Sequence, residues 1–232
     1  MSDTALPVII HYGTDAQRLA FTPSPASGVQ QLYKWYSTDT DAEWSYTTGW
    51  HQTSGSSSAT PGLVGPLEQH TASASATLDF TAFISASYTT YVFDFVNLRP
   101  ASDGALLWMR MGTGAGPTFD TGANYSYRYW RMAGATAVAA AAGATKIILT
   151  DAVDDDVLYG VVGQVRLYNP QSTAQCKMVN GQLFFEQTAA GGFEEDLPMG
   201  VYDSTTAVTG IQFLMSTGNI TSGTIRVYGL SV

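Results

Sequence analysis

The stretch YVFDFVNLRPASDGALLWMRM, residues 91–111, decides the fold class. In its first half Tyr91, Phe93 and Phe95 alternate with Val92, Asp94 and Val96; in its second half Leu106, Trp108 and Arg110 alternate with Leu107, Met109 and Met111. Successive strand side chains point to opposite faces, so a period of two marks half-buried strands, and the turn-forming RPASDG between the halves marks a reversal. The same alternation recurs at Tyr125, Tyr127 and Tyr129 against Ser126, Arg128 and Trp130. Further short strands are expected over Lys146–Thr150, Gln164–Tyr168, Gln182–Gln187, Gly210–Ser216 and Thr224–Val232. GTGAGP, YNPQ, AAGG and STGN punctuate them. The one helix-friendly piece, Ala137–Ala144, is short and runs into Gly143, so a loop or poor strand is expected there. About eight to ten strands without helices predict two packed antiparallel sheets, a β-sandwich of jelly-roll or related type.

Composition agrees. The chain has 232 residues, 45% hydrophobic and only 12% charged, the reverse of the balance that keeps a chain disordered. Three regions are expected. Residues 1–52 form a small hairpin-like module, with a strand at Leu32–Tyr36, a turn at STDTD, and a return through Trp44, Tyr46 and Trp50. Residues 53–66 (TSGSSSATPGLVGP) read as a Ser/Gly/Pro-rich linker, and residues 67–232 as the sandwich.

The net charge of −9 and the scatter of only ten Lys and Arg residues argue against nucleic-acid binding, which draws its affinity from phosphate neutralisation. Met1–Ile10 lacks the basic and apolar regions of a signal peptide, and no run reaches the ~18 apolar residues of a membrane span. The expectation is a soluble protein made in a cytoplasm. Cys176 is the sole cysteine, so no internal disulfide supports the fold; it is read as a small buried hydrophobe.

Signatures of chemistry are sparse. No G-x-S-x-G elbow, phosphate-binding loop or H-E-x-x-H motif occurs. His11, His51 and His70 have no metal-like spacing. The acidic runs Asp154–Asp156 and Glu194–Asp196 are read as solvated turns, although clustered carboxylates of this kind are also what calcium requires. A polysaccharide-degrading enzyme would need converging carboxylates, for which Asp79, Asp94 and Asp120 are isolated options. No catalytic residue, metal or cofactor is therefore assigned, and the chain is not expected to be an enzyme. Tyr and Trp suit sugar stacking as well as core packing. Trp130, Arg128, Trp108 and the loop residue Asp103 are accordingly the candidates for a glycan or subunit contact.

The C-terminal GNITSGTIRVYGL (Gly218–Leu230) resembles the closing strand of β-sandwich proteins of tailed-bacteriophage particles. LDFTAFISASYTTYVFDFVNLRPASDGALLWMRM (Leu78–Met111), FDTGANYSY (Phe119–Tyr127) and VRLYNP (Val165–Pro170) are similar to the same group. GTDAQRLAFTPSPASGVQQLYKWYSTDTDAEWSYTTGW (Gly13–Trp50) looks like short modules of phage tail fibres and appendages. This resemblance implies a virion structural protein of the tail-appendage, fibre or head-decoration kind, with no catalytic residues. It implies synthesis in the bacterial host cytoplasm, residence in the virion, and other virion proteins as partners. An N-terminal module anchored through Tyr33, Trp35, Trp44 and Trp50 follows, as does a homo-oligomer, with a trimer expected from how such appendages are arranged. The alternative is a receptor-binding tail module that recognises a host surface glycan.

Overall fold

The computed structural model describes residues 8–21, 32–37, 43–46, 50–54, 66–131, 138–187 and 192–230. The chain divides into two compact units, residues 1–64 and 65–232.

The first unit is a four-stranded sheet in the order β1 (Val8–Gly13), β2 (Leu32–Ser37), β3 (Glu43–Tyr46), β4 (Trp50–Ser54). The hairpin expected from the sequence is β2–β3, with Tyr33 opposite Tyr46 and Trp35 opposite Trp44. Trp50 opens a third antiparallel strand, opposite Tyr46. The unit departs from a simple hairpin in two ways. β1 pairs with β2 in parallel, and between them lies the short helix α1 (Asp15–Ala20). Thr14 and Gln17 start that helix with a capping box: Gln17 N–H donates to Thr14 Oγ1 and Thr14 N–H to Gln17 Oε1, at 3.3 and 2.9 Å. Residues 55–65 of the expected linker lie outside the described residues.

The second unit is an all-β sandwich with every strand pair antiparallel. Its strands are β5 (Glu68–Thr71), β6 (Thr77–Phe80), β7 (Thr90–Pro100), β8 (Leu107–Thr113), β9 (Thr118–Phe119), β10 (Tyr125–Arg131) and β11 (Val138–Ala144). β12 (Ile147–Ile148), β13 (Val161–Tyr168), β14 (Lys177–Gln187), β15 (Gly192–Tyr202), β16 (Val208–Met215) and β17 (Ile220–Leu230) follow. One sheet has the order β11-β10-β15-β14-β13-β7-β17-β5; the other is β12-β8-β16-β6, with β9 on β8.

Each alternation read from the sequence is a core face. Tyr91, Phe93 and Phe95 on β7 and Leu107, Met109 and Met111 on β8 are buried between the sheets. Phe213 on β16 is their meeting point, edge-on to Phe80, Phe93 and Phe95 with centroids 5.9, 5.1 and 5.2 Å away. Two glycines of the C-terminal strand have steric reasons. A Cβ on Gly223 (φ +105°) would lie 2.4 Å from the Asn97 carbonyl oxygen, and one on Gly229 would lie 2.3 Å from the Tyr88 ring.

Of the two alternatives for the alanine-rich piece, the strand is the one found: Val138–Ala144 is an edge strand whose backbone pairs along β10 although alanines have little strand preference. One local expectation is corrected. Glu194, Glu195 and Asp196 do not form a solvated turn. They lie within β15, with Glu194 and Asp196 buried. Among the described residues no helix is long and apolar enough to cross a membrane.

Candidate binding face

The outward residues of the eight-stranded sheet form rows across its strands. One row reads Ser126, Val201, Met178, Tyr168 on β10, β15, β14 and β13; the next reads Arg128, Met199, Asn180, Arg166. Strands lie about 4.8 Å apart, so Arg128 and Arg166 stand roughly 14 Å apart across the sheet. Around Arg128 lies a groove of about 910 Å³, floored by Met178, Met199 and Val201 and flanked by Tyr168 and the alanines of β11, and Arg166 borders the adjoining hollow. Tyr168 and Asn180 share a hydrogen bond at 3.1 Å. No hydrogen bond or ion pair engages either guanidinium among the described residues.

Farther along the strands the face turns polar. Gln164 donates to Asp94 at 3.3 Å, Arg226 bridges Asp94 and Gln69, and Gln182 bonds Glu195. Shallow hollows continue past Gln164 and Gln182 to Phe184. There the face becomes aromatic. Phe184 stacks on Phe193 at 5.5 Å, and Tyr159 meets Phe193 edge-on at 5.2 Å. Trp130, Phe184, Phe193, Met178 and Met199 are each at least 40% exposed. That is a concentration of large apolar side chains on one surface, of the size and kind that marks interaction sites.

The four expected contact residues do not converge. Arg128 and Trp130 share the face just described. Trp108 lies on the outer side of the opposite sheet, half-buried beneath Lys146, whose Nζ is 4.2 Å from the ring centroid. Asp103 is in the β7–β8 turn, where its carboxylate lies within 4.8 Å of those of Asp154 and Asp155. The anchoring candidates Tyr33, Trp35, Trp44 and Trp50 occupy β2, β3 and β4 of the first unit.

Asp79, Asp94 and Asp120 are also separated. Asp79 bonds Gln212 on the five-stranded sheet at 3.0 Å, and Asp94 lies on the outer face of the other. Asp120 closes the turn into β10, accepting from Gly122 N–H, Asn124 and the Tyr202 hydroxyl. Burial pushes its pKa up, but these bonds outweigh burial and hold the carboxyl below its ordinary value.

A second polar constellation was not legible in the sequence. Arg131 pairs with Asp151 and, at 3.1 Å, with Glu194. Asp196 is fully buried beside them, accepting from the Asp151 N–H at 2.7 Å, while its other oxygen has no hydrogen-bond partner among the described residues. Burial raises the Asp196 pKa to about 7, against the pull of Arg131 and with the push of Glu194. Burial likewise raises Glu194. Three carboxylates thus share one guanidinium, with Gln187 donating to Asp151 at 3.0 Å.

Cys176 is exposed, not buried. The turn before β14 projects it, and the neighbouring Lys177 points inward instead. The buried Lys177 ammonium donates to the carbonyls of Ser172, Gln175 and Ser204 at 2.6, 3.2 and 3.2 Å. Burial lowers its pKa.

No protein-family model, curated protein or solved structure matches this chain.

Proposed function

We propose that the chain is a structural component of a tailed-phage virion, attached through its N-terminal unit and docking other protein through the outer face of its eight-stranded sheet. The observation that carries this reading is the face itself. Trp130, Tyr168, Phe184, Phe193, Met178, Met199, Arg128 and Arg166 are the residue types enriched at protein interfaces and their hot spots. Five strands at about 4.8 Å by about 27 Å of strand length give on the order of 650 Å², near the ~800 Å² that each partner contributes to a standard interface. The resemblance of Gly218–Leu230 and Leu78–Met111 to phage particle proteins supplies the setting. The first unit, with Tyr33, Trp35, Trp44 and Trp50 on adjacent strands, is the proposed anchor.

The test is incorporation. Particles assembled with a Met178→Glu, Phe184→Glu double variant should carry at least tenfold less of the chain than wild type by quantitative mass spectrometry, with an unchanged circular-dichroism spectrum. Wild-type incorporation by a folded variant would remove the face from the proposal, and absence of the wild-type chain from particles would remove the virion reading altogether.

The alternative, recognition of a host surface glycan, draws on the central polar row of Gln164, Gln182, Asp94 and Arg226 beside Trp130. It predicts saturable binding to a glycan array that Trp130→Ala abolishes.

A further inference from the structure

The segment Asp154–Tyr159 (DDDVLY) combines exposed apolar side chains with a concentration of carboxylates. Val157 and Leu158 are both 76% exposed, more than any other large apolar side chain among the described residues of the sandwich. Their loop also concentrates negative charge. Asp154 and Asp155 crowd Asp103, and burial, followed by Asp154 and Asp156, raises the pKa of Glu186. The nearby cation Arg99 donates to the Asp155 carbonyl at 3.2 Å.

The loop is nonetheless well held. Asp154 accepts from Asp156 N–H at 2.7 Å, Asp156 accepts from Leu158 N–H at 2.8 Å, and Asp154 N–H donates to the Glu186 carbonyl at 3.0 Å. Tyr159 is pinned on Phe193. A preformed knob of this kind loses little ordering entropy when it docks.

The groove has the complementary properties. Its floor is apolar, Arg128 lines its wall, and Arg166 borders the adjoining hollow that shares Asn180 with it; both are unpaired cations on a chain whose net charge is −9. Loop and groove lie at opposite ends of β13, which runs from Val161, just after the loop, to Tyr168 at the groove. At about 3.3 Å per residue that separation is roughly 23 Å, so a chain cannot seat its own loop in its own groove.

Resting on the docking face proposed above, we infer that the Asp154–Tyr159 loop of one copy seats in the groove of the next. Val157 and Leu158 lie against Met178, Met199 and Val201, and Asp155 and Asp156 face Arg128 and Arg166. The contact is heterologous, head to tail. It closes into a ring where the rotation between copies permits and otherwise extends.

A mixing experiment with the full chain tests this. In sedimentation velocity over a dilution series, the wild type is expected to self-associate. A loop variant (Val157→Asp, Leu158→Asp) and a groove variant (Met178→Glu, Met199→Glu) should each weaken association by on the order of 100-fold. Mixed in equal amounts, the two variants should form a two-chain species, because one intact loop and one intact groove remain. A charge exchange should behave alike: Asp155→Arg with Asp156→Arg, mixed with Arg128→Asp and Arg166→Asp, should pair where neither does alone.

The inference is overturned by a loop variant that associates like wild type, by variant mixtures that stay monomeric, or by a wild-type chain that is monomeric throughout. None of these results touches docking of the face to a different virion protein, which particle incorporation reads separately.

Discussion

Replacing Phe213 with alanine is expected to cost about 3–5 kcal/mol of sandwich stability, the range for a large aromatic removed from a closed core. Phe213 is fully buried on β16 of the five-stranded sheet, while Phe93 and Phe95 belong to β7 of the eight-stranded sheet. The ring therefore joins the two layers, and Phe80 adds a third edge-to-face contact from β6. Truncation would remove the burial energy of the ring and about 0.5–1.5 kcal/mol for each aromatic pair, and would leave a cavity that two hydrogen-bonded sheets cannot collapse to fill. Urea unfolding should show a lowered midpoint with an unchanged slope. The internal comparison is Phe184→Ala. Phe184 is 46% exposed on the outer face, so its loss should change stability by no more than about 1 kcal/mol. Equal costs for the two variants would mean that the sheets are not packed as described.

The second large effect concerns pH. Asp196 titrates near pH 7 in the folded chain against 3.8 as the ordinary value, because burial disfavours its charged form. Between those two values the folded state binds more protons than the unfolded state, so stability from this group is greatest below about pH 4 and falls as pH rises through 7. Asp196→Asn keeps an acceptor for the Asp151 N–H, removes the buried charge, and leaves Arg131 paired to Asp151 and Glu194. The variant should match wild type near pH 4 and exceed it by about 1–3 kcal/mol at pH 8, with the stability decline between these limits largely gone. Urea titrations at the two pH values check this. A variant less stable than wild type at pH 8 would show that the Asp196 carboxylate is a net stabilising partner of Arg131.

These two sites mark the boundary of what the sequence discloses. Strands β7, β8 and β10 were legible because their inward positions are apolar and their outward ones mixed, so period two is plain. β15 was hidden because its inward positions include Glu194, Asp196, Pro198 and Gly200, which reads as a turn; only the neighbouring Arg131 makes buried carboxylates tolerable there. Helix α1, at six residues, is too short to show a helical period, and its one local signal is the Thr14–Gln17 capping box. The expected strand Gln182–Gln187 was the second half of β14, whose first half begins with the buried Lys177. A lysine at an inward position and an exposed cysteine before it invert the usual burial preferences.

The binding face was legible only at its edge. The alternation in β10 pointed Arg128 and Trp130 outward, as found. Met178, Met199, Phe184 and Phe193 join them through the strand order β10-β15-β14-β13, a non-local pairing that no local pattern encodes. For the same reason nothing in the sequence separated Trp108 from Trp130, although they occupy different sheets.

Whether this face is covered when the protein is at work can be read by oxidative footprinting with peptide mass spectrometry on the free chain and on intact particles. Met178 and Met199, 59% and 41% exposed, should convert readily to sulfoxides in the free chain, while Met109 and Met111, both fully buried, serve as internal controls. In the particle, Met178 and Met199 should become as resistant as the buried pair. Oxidation of Met178 and Met199 at the same rate in particles as in the free chain would mean that the face stays open to solvent there.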